Sequence, residues 1–196
     1  MNIEQAKEKI RKIADEIILN KELLTKLDRD IGDGDHGFNM AKGFTNVLSI
    51  LNDDYSSMKD LFNKVAMTLI SNVGGASGPL YGTFFMKFAM SLNTLTELDR
   101  NSFNEAFCQG VEGVKMRGKA CIGDKTMIDV LDPCKKALLE GKNFDEIIKI
   151  AKESLDATEP MKARKGRATY LGERSIGHLD PGAYSSYIMI KAALEE

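Results

Sequence analysis

Three aspartates, Asp28, Asp33 and Asp35, fall within eight residues of the stretch DRDIGDGDHGFNM and are interleaved with Gly32, Gly34 and Gly37. Carboxylates held that close repel one another: two unit charges about 4 Å apart cost on the order of 4 kcal/mol at an intermediate effective dielectric. A packed loop tolerates this when a cation lies between the acids. Hard carboxylate oxygens select magnesium or calcium, and magnesium commonly bridges protein carboxylates to phosphate oxygens. The glycines let the backbone fold the acids together. The alternative is a solvated acidic turn that caps the helix expected over residues 37–51, and the residues alone leave both readings open.

Other patterns in the chain fail on context. Gly32-x-Gly34-x-x-Gly37 has the spacing of a dinucleotide fingerprint, which needs a preceding strand in a parallel sheet; the preceding ELLTKL is helical or irregular. Gly113-x-x-x-x-Gly118-Lys119-Ala120 approaches a P-loop, but Ala120 stands where Ser or Thr must hold magnesium. An EF-hand begun at Asp28 would put Asp33 at its glycine position and Asn39 where a bidentate Glu belongs.

The two histidines, His36 and His178, each sit in a Gly-bounded loop. Each fits a phosphoryl carrier, a donor to phosphate, or a hydrogen bond within its own loop. GGASGP at 74–79 precedes a helix, so it is either a turn or a set of backbone N–H groups facing an anion. Lys162, Arg164, Lys165, Arg167 and Arg174 share one irregular stretch. A charge run of this kind is a solvated face, unless a metal–phosphate site nearby gives it phosphate to neutralise or an acidic partner to meet.

The elements that would position these loops read as helices. Ile3, Ile10, Ile13, Ala14, Ile17 and Ile18 fit one helical face, and the spacing recurs at 40–51, 61–73 and 144–155. Pro79 suits the first turn of LYGTFFMKFAMSL. Ser102 with Glu105 reads as a capping box, Asp124 as a cap for the next helix, and Pro133 as a kink or break in it. With the C-terminal SSYIMIKAALEE, about eight helices are counted by pattern and no segment alternates with period two. The expectation is all-α, one domain spanning residues 1–196. The unusual parts are four Gly-rich connections: 28–37, 74–79, 117–126 and 163–182.

Composition narrows the class. Hydrophobic residues are 43% and charged residues 29% of 196, a globular mix. A net charge of −2 provides no basic field for nucleic acid or an acidic membrane. Cys108, Cys121 and Cys134 form no C-x-x-C pair, and their odd number speaks for thiols in a reducing cytosol. The N-terminus has no signal-peptide h-region, and the apolar runs fall short of a membrane span. A cytoplasmic protein is expected.

Four motifs in order, LDRDIGDGDHGFNM, VGGASGPLYGTFF, RGKACIGDKTMIDV and ARKGRATYLGERSIGHLDPGAYSS, resemble the nucleotide-binding L subunit of dihydroxyacetone kinase, with the likeness running from about residue 24 to 188. The resemblance implies a barrel of eight antiparallel helices with ADP or ATP at one rim. Asp28, Asp33 and Asp35 match the aspartates that hold magnesium against the nucleotide phosphates. The nucleotide would touch His36, Gly37, Phe38 and Asn39, then Ala76 and Ser77 at a helix start. Gly118, Thr126 and Met127 would flank the adenine, and Arg167 with the Asp180-Pro181-Gly182 turn would complete the site. Phosphoryl transfer needs positioning and charge neutralisation more than a protein nucleophile, and none is assigned.

With 196 residues there is no room for a fused sugar-binding domain. The resemblance is therefore to the bacterial phosphotransferase-system form. There, bound ADP takes a phosphoryl group from the M subunit, supplied by phosphoenolpyruvate, and as ATP passes it to dihydroxyacetone on the K subunit. Expected partners are those two subunits and a second copy of the chain in a homodimer, with no nucleic acid and no membrane. The rival expectations are the nucleotide subunit of an ATP-dependent kinase for another small ketose or for fatty acids, and a non-catalytic regulatory nucleotide-binding module.

Overall fold

Asn2 and Gln5 exchange side-chain-to-backbone bonds, a capping box that opens α1 (Ile3–Leu19). After Asn20 come α2 (Lys21–Ile31), α3 (His36–Ile50), α4 (Met58–Asn72), α5 (Ser77–Ser91), α6 (Arg100–Gly118), α7 (Ile128–Leu139) and α8 (Phe144–Asp156). A 3-10 segment over Arg167–Ser175, broken at Gly172, leads to α9 (Pro181–Leu194). This computed structural model describes residues 1–195. Among them the only β pairing is an isolated bridge between Asn2 and Glu97, so the all-α expectation holds.

The helix count is corrected from eight to nine among the described residues. The extra one is α2. Its inward face carries Leu24 and Ile31 but also Thr25 and Asp28, so the apolar period that marks a helix is broken by two polar residues. Three local expectations also change. The cap of α6 is Asp99, whose carboxylate accepts the Ser102 N–H at 2.8 Å; Ser102 is not the cap. Asp124 does not cap α7. It accepts the Cys121 N–H at 2.9 Å, and the turn before α7 is instead held by Asp129, which accepts from Gly123 and Thr126 at 2.6 and 2.7 Å. Of the kink or break expected at Pro133, the break does not occur: the proline lies inside α7.

Packing runs from α1 to α3 and on through α4, α5, α6, α7, α8 and α9, and α9 returns to α1; α2 rests on α3 and α9. The interior is rich in phenylalanine. Phe62 and Phe88 have ring centroids 4.7 Å apart, and Phe84 meets Phe107 edge-on at 5.4 Å. These rings surround an apolar cavity of about 100 Å³. Helices pass close where side chains are absent: a Cβ on Gly43 would strike Val73, and one on Gly78 would strike the Val73 carbonyl, fixing α3, α4 and the start of α5 together.

Phe88 is 4% exposed and touches Phe62, Phe84 and Phe103. Phe88→Ala is expected to lower stability by about 3–5 kcal/mol through lost burial and a residual cavity, read as a shifted urea midpoint with an unchanged slope.

Candidate functional site

Asp28 lies near the C-terminal end of α2, and one of its oxygens accepts the backbone N–H groups of Asp35 and His36 at 2.9 and 3.0 Å. The chain between them must therefore double back. Gly34 takes φ +75°, a conformation that favours glycine, and Gly32 has no Cβ because one would collide with the other Asp28 oxygen. The result brings one oxygen each from Asp28, Asp33 and Asp35 within 4.8 Å of one another, with Asp28 buried and the other two exposed. Three hard oxygen donors on such a cradle fit a divalent cation of the magnesium or calcium kind. The Asp28 bonds also cap the start of α3, as the turn alternative has it, and the cradle leaves room for a cation besides.

His36 opens α3 and is 8% exposed. Its Nε2 lies 3.0 Å from Ser185 Oγ and its Nδ1 3.1 Å from Ser77 Oγ. Burial lowers its pKa, against the opposing pull of Asp28 and Asp35. A neutral ring with a hydroxyl on each nitrogen donates from one and accepts on the other. The chain of hydroxyls continues inward: Tyr81 Oη is 2.7 Å from Ser185 Oγ and 2.9 Å from Ser186 Oγ, and burial pushes the Tyr81 phenol up to about 12.

All four Gly-rich connections meet around one open pocket of about 430 Å³. Asp33, Asp35 and His36 come from the first, with Asn39 just beyond it on α3, Ala76 and Ser77 from the second, Gly118 and Thr126 from the third, with Met127 next to it at the start of α7, and Arg167, Asp180, Pro181 and Gly182 from the fourth. Neither α3 nor α5 has a side-chain cap from its own N-cap residue. On α5 the first N–H groups thus have no cap side chain, Pro79 has no N–H, and Ala76 and Ser77 line the pocket, where a helix N-terminus favours an anion. Asn39 reaches across to Gly74, where a Cβ would come within 2.6 Å of its Oδ1. Leu80, Val114, Ala120 and Met127, from α5, α6 and the third loop, give the pocket an apolar lining. Arg167 contacts Asp33 directly, with Lys165 nearby on the same wall.

Some expected members are elsewhere. Gly37 is buried against α2, where a Cβ would strike the Lys21 carbonyl, and Phe38 is 48% exposed under the Lys21 ammonium; neither lines the pocket. His178 sits outside it, 3.8 Å from Asp30. The sequence reading missed Lys125, Asp129 and the serines of α9. The first two stood in plain view in GDKTMID, but nothing in that string says that its lysine and second aspartate turn inward.

Asp180 caps α9, accepting the Ala183 N–H at 2.7 Å. Burial, with Asp129 and Asp28 adding to it against Lys125, pushes its pKa up to about 7.

The chain matches the DAK2 domain family over residues 30–195. It is 46% identical to the PEP-dependent dihydroxyacetone kinase 1, ADP-binding subunit DhaL, of Listeria innocua, covering 90% of this chain and 87% of that one. It is 42% identical to the PTS-dependent dihydroxyacetone kinase, ADP-binding subunit DhaL, of Lactococcus lactis, covering 100% and 98%. The crystal structure of the dihydroxyacetone kinase from C. freundii in complex with AMP-PNP and Mg2+ superposes with a TM-score of 0.77 at 26% identity, over 97% of this chain. This chain spans 33% of that longer one.

The Asp180 shift sets a pH dependence. The folded carboxyl binds its proton up to about pH 7, whereas an unfolded aspartate releases it near about 3.9. Between those values the folded state holds more protons, so the Asp180 contribution to stability falls as pH rises. Asp180→Asn keeps the cap and removes the titration. Without metal or nucleotide, the variant is expected to gain on the wild type as pH goes from 4 to 7, by up to about 1.4 kcal/mol per pH unit, and then to level off. Urea unfolding at stepped pH reads the difference.

Proposed function

The chain belongs to the DAK2 domain family, and from that premise we propose that it acts as the ADP-binding subunit of a dihydroxyacetone kinase, relaying a phosphoryl group from a phosphotransferase-system M subunit to dihydroxyacetone held on a K subunit. The observation that carries this is the convergence of four Gly-rich loops, from positions spread across the chain, on one pocket that joins an acidic cradle, a bare helix N-terminus and an apolar lining.

Asp28, Asp33 and Asp35 are the proposed magnesium ligands. When bound, magnesium and ADP supply neutralised phosphates and the acceptor for the phosphoryl group. The protein's own share is positioning. Asp28 fixes the acidic loop by holding the Asp35 and His36 N–H groups. The first turn of α5, at Ala76 and Ser77, presents N–H groups to phosphate oxygens. His36 holds Ser77 through Nδ1 and is itself held by Ser185. With both nitrogens engaged, it serves as a hydrogen-bonding strut and not as a nucleophile. Gly118, Thr126 and Met127 border the place for the base. Arg167 brings a guanidinium to the phosphate side, where a planar fork matches two oxygens at once. Asp180, Pro181 and Gly182 form the floor.

The whole chain is read as one nucleotide-binding domain working in the cytoplasm. Three free cysteines fit a reducing compartment, and among the described residues no helix is long and apolar enough to cross a membrane. The K and M subunits are the proposed partners, and light scattering reads whether the chain also pairs with itself as a homodimer.

Mass spectrometry of the native protein is expected to find ADP. Asp33→Ala and Asp35→Ala are each expected to lose magnesium-dependent ADP retention by at least about a hundredfold, with unchanged helical circular dichroism and no loss of apo stability, since one repelling charge is gone. ADP retention equal to wild type in either variant removes that aspartate from the metal site.

A second measurement follows the phosphoryl group. With labelled phosphoenolpyruvate, the upstream carriers and the M subunit, all label on the denatured chain is expected to be released as ATP. An acid-labile, base-stable phosphate left on the polypeptide would place the group on histidine and overturn the carrier role of the nucleotide. Ready exchange of ADP for free ATP would favour an ATP-dependent kinase, and tight binding without transfer a regulatory module.

A further inference from the structure

Lys125 has no direct place in the proposed relay, yet it is the most completely enclosed charged side chain among the described residues, with 0% exposure. Its backbone is left-handed, at φ +61°, an uncommon conformation for a residue with a side chain. Strain of this kind persists where surrounding contacts over-determine it. Those contacts come from one direction. Nζ donates to the carbonyls of Ser175, Met161 and Glu159 at 2.6, 2.9 and 3.4 Å. Among the described residues no carboxylate forms an ion pair with it at contact distance; Asp180 and Glu159 act on it from further off, and its direct partners are backbone oxygens.

The three carbonyls belong to the two ends of one excursion. Met161 is where the chain leaves the helical body after α8, and Ser175 is where the 3-10 segment returns to it. The same base is tied by Ala163 N–H to Ser175 Oγ at 2.9 Å, by Gly177 N–H to the Glu159 carbonyl at 2.8 Å and by Arg164 N–H to the Asp124 carbonyl at 3.1 Å. Beyond the base the excursion is a flap. Ala168 and Leu171 rest it on Ile31, the last residue of α2, and its tip carries Arg167 onto Asp33. The tip contact is an ion pair whose arginine is 64% exposed, a weak hold by itself. The base is what is built to last.

We propose that Lys125 is a positioning residue that pins both ends of the 161–175 flap and thereby sets Arg167 over the acidic loop. A lysine suits the task because it brings three N–H donors to one point where carbonyls from two chain segments converge, and no uncharged side chain offers three. An apolar replacement would leave the Met161 and Ser175 carbonyls without this donor inside the protein. Because Thr126 and Met127 follow directly, the pin also ties the flap to the pocket's apolar lining.

The inference rests on the nucleotide reading of the pocket for its functional half only, and the test separates the two. Hydrogen exchange without nucleotide is compared in wild type and Lys125→Met. Exchange over 162–175 is expected to accelerate by at least about tenfold while the α4 and α5 amides keep wild-type rates. Exchange at the wild-type rate overturns the pin. Magnesium-dependent ADP affinity is then measured in Lys125→Met, Arg167→Ala and the double variant. Each single change is expected to weaken binding about tenfold, and adding Arg167→Ala to Lys125→Met to cost less than about twofold more, since the arginine is already misplaced. Fully additive losses would mean that Lys125 does not act through Arg167. Should Lys125→Met fail to fold, Lys125→Gln offers two N–H donors in place of three; it is expected to raise flap exchange and lower ADP affinity together, and either change without the other overturns the proposal. A wild type that binds no magnesium–ADP sinks the reading of the pocket, and the exchange result still decides the pin.

Discussion

A single carboxylate oxygen, on Asp28, holds two consecutive backbone N–H groups at the start of α3. The acidic cradle depends on it. Asp33 and Asp35 are exposed and repel each other, and left alone they would splay. By tying α2 to the first turn of α3, Asp28 converts a loop into a fixed bend. The same bend turns the His36 ring inward, where Ser77 from α5 and Ser185 from α9 meet it. Three helices far apart in sequence are thus registered against one another at the site by one acid and one imidazole.

The surroundings show how close such registration must be. Side chains are omitted where backbones or functional groups pass within contact distance, at Gly32 beside Asp28 and at Gly74 beside Asn39. Several charges taken inside meet fixed partners. Lys125 meets carbonyls, Asp129 meets two N–H groups, and Asp132 meets Lys115 and Lys135 at 3.1 and 2.7 Å. Among the described residues no buried side-chain nitrogen or oxygen lacks a partner.

Much of this was legible beforehand, and the pattern of misses has a physical reason. The amphipathic helices declared themselves through apolar period, and the four Gly-rich loops through their lack of it. Loop composition pointed to the acids and the α5 N-terminus, the family resemblance singled out Arg167 from its charge run, and Asp33, Asp35, Ala76, Ser77 and Arg167 lie around one pocket. The misses are residues whose role depends on the direction they face. Helix α2 vanished from the count because two of its buried residues are polar. Ser102 looked like a cap until Asp99, three residues earlier, took the position. Phe38 and Gly37 share the acidic motif but lie on the sides of α3 turned away from the opening. Lys125 and Asp129 were assigned no role, since the carbonyls and N–H groups that draw them inward are distant or have no side-chain signature.

The return of α9 onto α1 bears on the order in which the molecule can form. Helices α4, α5 and α6 pack as sequence neighbours, so their contacts need only short loop closures and can come early. The last seam joins helices at opposite ends of the chain and cannot gain anything until most of the ring stands. His36 and Ser185, on α3 and α9, meet across 149 residues. A helical protein of this length would ordinarily fold fast on its local contacts. Here the closure of α9 onto α1 is the contact of longest sequence separation, and the pocket, to which α9 contributes Pro181 and Gly182, is complete only once α9 has docked.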